Sequence, residues 1–399
     1  MPESEVIQIG HRKNPKSQIS VTSGVEIFFL IGLLGAAYGT VWLGVHLWMM
    51  INGQMDMWSD YLTQRHIHAI MQIYLFIGLF IMGFCYQAAA KQLEVKEPKP
   101  ELAVVLTVFP LMGLLYQTIN PLVGKVVLAL PYFLTAIYVF SLLLKSSLKN
   151  IFSVGILLLC GLLALTRGVF LNVADPAMAV MVVWGGIGGV LLATQQQFLA
   201  GFFGAQRITG AGAFFTNLFY LCSLYNCYMF VSLRDFGHYK WVSIFASLTI
   251  LTFILSTKGW KVIRSMLIDP LALAFSFGYL WALYGALLMF QEIVSNDLIQ
   301  HTWSTGWIFP IIFATSLKII SFLSQKELMK PNTQIVMIVL WQIVPLGRAV
   351  LPLYTSLAVL PWLVGIAATV VFVSWFYCLL KGILTVRKLN EKAASLRSA

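Results

Sequence analysis

The chain has 399 residues, 59% of them hydrophobic and 10% charged, with a mean hydropathy of +0.84. Soluble globular chains carry about 25% charged and about 45–50% apolar residues, so this composition excludes a soluble enzyme, a disordered chain and a nucleic-acid-binding domain. The net charge of +11 sits in short loops, the pattern of a membrane topology rather than of an anionic macromolecular partner.

About 20 apolar residues in a helix rise about 30 Å, enough to cross a hydrocarbon core. Apolar stretches of roughly this length occupy 22–50, 64–90, 101–119, 121–144, 151–170, 176–203, 210–233, 240–257, 270–292, 301–324, 333–355 and 357–380. They predict an all-α polytopic transmembrane bundle of about 12 spans lying in the lipid bilayer. The single transmembrane domain would cover 22–380, between an N-terminal tail (1–21) and a basic C-terminal tail (381–399), both cytoplasmic. The first stretch follows a basic segment but is long and has no small-x-small cleavage site, so it reads as an uncleaved helix. Asn120-Pro121 separates the third and fourth stretches, because a residue before proline is pushed away from helix. The eleventh and twelfth divide near Tyr354-Thr355-Ser356.

With the N-terminus inside and the sides alternating, nineteen of the 26 Lys and Arg fall on the inner side and six outside. Lys318 lies within a span. One miscounted span would scramble every later loop, so the bias supports an even number of crossings.

Five cysteines are scattered, with no Cys-x-x-Cys pair, which argues against a disulfide framework and a thiolate metal site. The histidines are more informative. His46 ends the first span, His66 and His68 open the second, and His301 opens the tenth, all at the outer face. His238 is in an outer loop and His11 is cytoplasmic. Neutral imidazole ligates haem iron and copper, so the four outer histidines are candidate metal ligands. Residues two apart on a helix point about 200° from each other. His66 and His68 therefore serve two centres, or one ligates while the other orients.

Arg348 lies within the eleventh span towards its outer end, where a guanidinium needs an anionic partner or a route to water. A haem propionate would supply the anion, and Arg167, at the outer end of the fifth span, could take a second. Met49, Met50, Met55 and Met57 beside His46 offer thioethers suited to Cu(I). Gln195-Gln196-Gln197, deep in the sixth span, suits interhelical hydrogen bonds, with a proton or substrate path as the other reading.

Three segments resemble the NnrS family. Arg65-His66-Ile67-His68 with its following apolar run resembles that family's His-x-His second helix. His301-Thr302-Trp303-Ser304-Thr305-Gly306, trailing to Lys318, resembles its His-Ala-Leu-Thr-x-Gly segment. Gly347-Arg348-Ala349-Val350-Leu351-Pro352 resembles its late Arg-Val-x-x-Pro pattern. Ala69 stands where the family has an acid after His-x-His, and Lys318 where it has arginine. The resemblance implies a haem- and copper-containing protein of the bacterial inner membrane, linked to nitric oxide and nitrosative stress. Cofactor-binding residues would be His66, His68, His301, Arg348 and Arg167, with His66, His68, His301 and His46 as metal ligands. The His-x-His helix also has a distant look of the haem–copper oxidase large subunit, but the paired histidines of that subunit's middle helix are missing. Two other classes compete: a 12-helix secondary transporter, disfavoured by the scarcity of intramembrane carboxylates, and a non-catalytic assembly subunit of a respiratory complex.

Overall fold

A computed structural model describes residues 25–51, 61–86, 93, 100–172, 175–291, 296–350 and 359–398. Among them there is no strand. The helical rods are α1 (25–51), α2 (61–86), α3 (Pro100–Ile119), α4 (Pro121–Leu143), α5 (Leu148–Gly168) and α6 (176–203). They continue with α7 (Gly210–Leu233), α8 (Phe236–Ser256), α9 (Leu271–Leu288), α10 (296–324), α11 (331–350) and α12 (Val359–Ser398). Among the described residues, seven helices are long and apolar enough to cross a membrane, within α2, α4, α5, α8, α9, α10 and α12. The other predicted stretches are helical too: α1 and α3 carry the apolar segments Glu26–Gly39 and Val105–Gln117, while the remaining three are diluted by amides, Gln195–Gln197 in α6, Asn217 and Asn226 in α7, and Gln334 and Gln342 in α11. The protein is a polytopic helical membrane bundle.

The predicted break after α3 is observed. Asn120 is extended (φ −142°, ψ 102°), its side-chain oxygen accepts from the Val123 N–H at 3.2 Å, and Pro121 opens α4. A capping amide followed by proline at the first helical position is a helix start that needs no tertiary support. The predicted division near Tyr354–Ser356 lies outside the described residues, as do the tail 1–21, His11, Met55 and Met57. At the other end the basic segment from Lys381 continues α12 without a break to Ser398.

Burial identifies the middle of the bundle. Residues 180–196 of α6 are buried without interruption, and the apolar windows of α2 and α10 are 67% and 72% buried, against 33% for α12. α2 and α10 meet through Phe76 and Phe309, whose ring centroids are 6.2 Å apart, and both rings pack on Trp375 of α12. Lipid tails are as apolar as leucine, so helices here associate by close packing, which small residues permit. Gly32, Gly35 and Gly39 form one stripe of α1 against α2. A Cβ on them would come within 2.8 Å of Phe80, 2.9 Å of Leu75 and 2.3 Å of Met71.

Four of the rods that shape the outer half contain a wider, π-helical turn: Ala36–Trp42 in α1, Met71–Ile77 in α2, Ala179–Gly188 in α6 and Thr302–Ile308 in α10. A fifth, Ile151–Gly155, lies in α5. Such turns concentrate at functional sites because they re-aim side chains and loosen backbone carbonyls.

Candidate functional site

His68 is half-buried one turn before the π-helical segment of α2. Its Nδ1 lies 2.5 Å from the carbonyl oxygen of Gly39, inside the π-helical turn of α1. A carbonyl can only accept, so Nδ1 carries the proton and donates. Nε2 then bears the lone pair of the neutral ring. Histidines that bind metals typically donate their other N–H to a carbonyl or carboxylate in this way. Gly44 lets the ring lie flat against α1, since a Cβ there would come 3.2 Å from His68 Cε1.

His66 points elsewhere. Its Nε2 donates to Gln117 Oε1 of α3 at 3.2 Å, which leaves its lone pair on Nδ1, the nitrogen nearer the backbone. The two rings of His-x-His thus turn to different helices, α3 and α1, as the 200° separation requires. Of the two, His68 presents the more extended nitrogen for ligation.

His301 is half-buried one residue before the π-helical turn of α10. Phe76 and Phe309 set the relative depth of α2 and α10. His68 precedes Phe76 by eight residues and His301 precedes Phe309 by eight, each through a seven-residue π-helical segment, so the two lie equally far outward of the same contact. His68 and His301 therefore occupy one level of the bundle.

Arg348 reaches His301 from α11. Its Nη2 is 3.1 Å from Nδ1 and 3.2 Å from Nε2. The in-plane lone-pair directions of an imidazole diverge, so an atom nearly equidistant from both nitrogens lies over the ring face. This is a cation–π arrangement. A lock below sets the approach: Trp341 Nε1 donates to the Thr305 carbonyl at 2.7 Å, and its ring stacks on Phe309 at 3.7 Å. Trp281 Nε1 donates to Gln342 Oε1 at 2.9 Å, where the two helical pieces of α11 meet.

The remaining predicted residues are dispersed. His46 is half-buried on α1 beyond its π-helical turn, and Met50 near it is buried. Arg167 ends α5 with an exposed side chain that has no hydrogen-bond or ion-pair partner among the described residues. Gln196 is structural: its oxygen accepts from Ser153 Oγ and the Ile208 N–H, both at 3.2 Å, and its nitrogen donates to the Ser153 carbonyl at 2.7 Å. Lys318 pairs with Asp269, just before α9. Sequence reasoning passed over Asp269 and also Gln117, whose position as an amide in an apolar stretch was the available signal.

Among the described residues no group of three or more His, Cys, Asp or Glu converges to hold a metal ion. That donor set suits a haem, whose ring brings its own four nitrogens, better than a copper ion needing three or four protein ligands. The His68 tautomer and the Arg348 guanidinium beside His301 fit an axial ligand and a propionate holder respectively.

The rods, their amide-lined interior and the histidines of the outer half define a polytopic helical integral membrane protein. The chain belongs to the NnrS family: the family model, described as NnrS protein, matches residues 23–387. No individual curated protein matches the chain.

Proposed function

We propose that this NnrS-family protein binds haem in the outer half of its bundle, in the bacterial inner membrane, and acts in the response to nitric oxide or nitrosative stress. The observation that carries the reading is the His68 Nδ1–H donated to Gly39, with His301 at the same level. His68 and His301 would hold the haem iron, and His66 braces α2 on α3 through Gln117. Arg348 would hold one propionate, and Arg167, exposed at the end of α5, would hold the second. A copper ion would draw on His46 and on the thioether of buried Met50, which suits Cu(I), but these two donors fall short of the three or four that such a site needs. When bound, haem iron supplies a site for a small gaseous ligand such as nitric oxide. The chain's own part is to fix the imidazole tautomer, place cationic charge beside one ligand, and exclude lipid and water with Trp303 and Trp307, both fully buried.

The test is spectroscopy and elemental analysis of the purified protein. A Soret band with stoichiometric iron is expected, abolished or shifted in His68→Ala and in His301→Ala but retained in His66→Ala. Purified protein with neither Soret absorbance nor iron or copper would overturn the reading.

A further inference from the structure

The inner half of the bundle contains a file of polar side chains that haem binding does not use. At its mouth Lys318 of α10 pairs with Asp269, and the two side chains remain 26% and 17% exposed. Asp269 Oδ1 also accepts from the Leu271 N–H at 3.1 Å, which anchors the carboxylate at the start of α9. Lys318 Nζ lies 5.7 Å from the centre of the Phe202 ring, and this fixes the level of α6 beside it.

The file continues inward. Thr315 is one turn from Lys318 on α10 and is 3% exposed; Gln195 is two turns from Phe202 on α6 and is 1% exposed. Gln195 Nε2 donates to Thr315 Oγ1 at 3.4 Å, while Gln195 Oε1 is buried with no protein partner. Turning the amide over only moves the orphan to the nitrogen. Gln196 shows that this helix can satisfy a buried amide completely with protein groups. At Gln195 it does not. Buried polar atoms left without protein partners are met by ordered water, given a polar surround and room. Seven residues of helix separate Phe202 from Gln195, about 10 Å of depth. One turn outward of Gln195 the file is closed by fully buried Leu192; further out Trp184, Trp303 and Trp307 pack together, Trp184 5.9 Å from each of the other two ring centres, with the buried Trp307 indole N–H also lacking a protein partner.

We infer that Asp269, Lys318, Thr315 and Gln195 line a hydrated half-channel. It opens on the side that the charge bias makes cytoplasmic and admits water and protons to the middle of the bundle, ending at Gln195. The inference does not depend on any bound metal.

Infrared spectroscopy of the full-length protein in lipid tests it. In Gln195→Glu, the new carboxyl should be ionised at neutral pH, or neutral with a carbonyl band that shifts promptly in D2O. In Leu192→Glu, one turn outward and fully buried, exchange should be at least about tenfold slower, as expected without a solvent route. The milder Thr315→Cys gives a second reading through its S–H band, which should exchange well ahead of buried Cys85 and Cys227. Should Gln195→Glu fail to fold, the thiol comparison decides alone. Exchange at position 195 no faster than at 192, or at 315 no faster than at the native buried thiols, would overturn the half-channel.

Discussion

The guanidinium of Arg348 lies over the face of the His301 imidazole, with Nη2 3.1 and 3.2 Å from its two ring nitrogens. An arginine this far inside a span is costly unless its charge is engaged. The π-face of a histidine is a weak partner for it, and a propionate, where haem binds, would be a stronger one.

Arg348→Ala is therefore expected to weaken haem retention roughly tenfold, the scale of one desolvated cationic contact. Arg348→Lys should recover part of this, since lysine keeps the charge but lacks the planar fork. The ratio of Soret to protein absorbance after gel filtration measures both. Unchanged haem content and spectrum in the alanine variant would remove Arg348 from the site.

Gly78 of α2 faces Tyr132 of α4. A Cβ at Gly78 would fall 2.1 Å from the Tyr132 hydroxyl, which donates to the Tyr74 carbonyl at 2.5 Å. Gly78→Ala should destabilise the bundle by about 1–3 kcal/mol through overpacking. In a Tyr132→Phe background the same change should cost less by about 1 kcal/mol, because the clashing oxygen has gone. Thermal unfolding in detergent gives both values. Strict additivity would mean that α2 and α4 do not meet in this way.

Lys318 and Asp269 offer a test of a different kind. Removing one partner leaves a partly buried charge uncompensated, whereas replacing both with apolar residues can be nearly neutral. Since both side chains retain some solvent, Lys318→Met should cost about 1–2 kcal/mol. The double variant with Asp269→Asn, which removes the charge but keeps an oxygen to accept from the Leu271 N–H, should regain most of it. A double variant less stable than the single one would show that the pair stabilises the bundle through more than mutual compensation.

Much of the architecture was legible in the sequence because it is encoded locally. Asn120-Pro121 carries its own cap and break, and the 3.6-residue repeat alone separates the rings of His66 and His68. The rest depends on which distant segments meet. Arg348 and His301 are 47 residues apart and Lys318 and Asp269 are 49 apart. Charge counting places such residues at a membrane face but cannot pair them. The acceptor for His68 was least accessible of all, since it is the backbone of Gly39 and carries no side-chain signature. The π-helical turns have no compositional signal, as they arise where packing between rods favours a wider turn over a regular one.

Those wider turns make the outer half sensitive to register. Were Thr302–Ile308 to tighten to ordinary α-helix with its length unchanged, everything on its outer side would rotate by roughly 100°. His301 would swing out from beneath Arg348, while Thr315 and Lys318 kept their places. A change of winding in these segments is thus a means by which the outer half could be re-aimed without rebuilding the inner half.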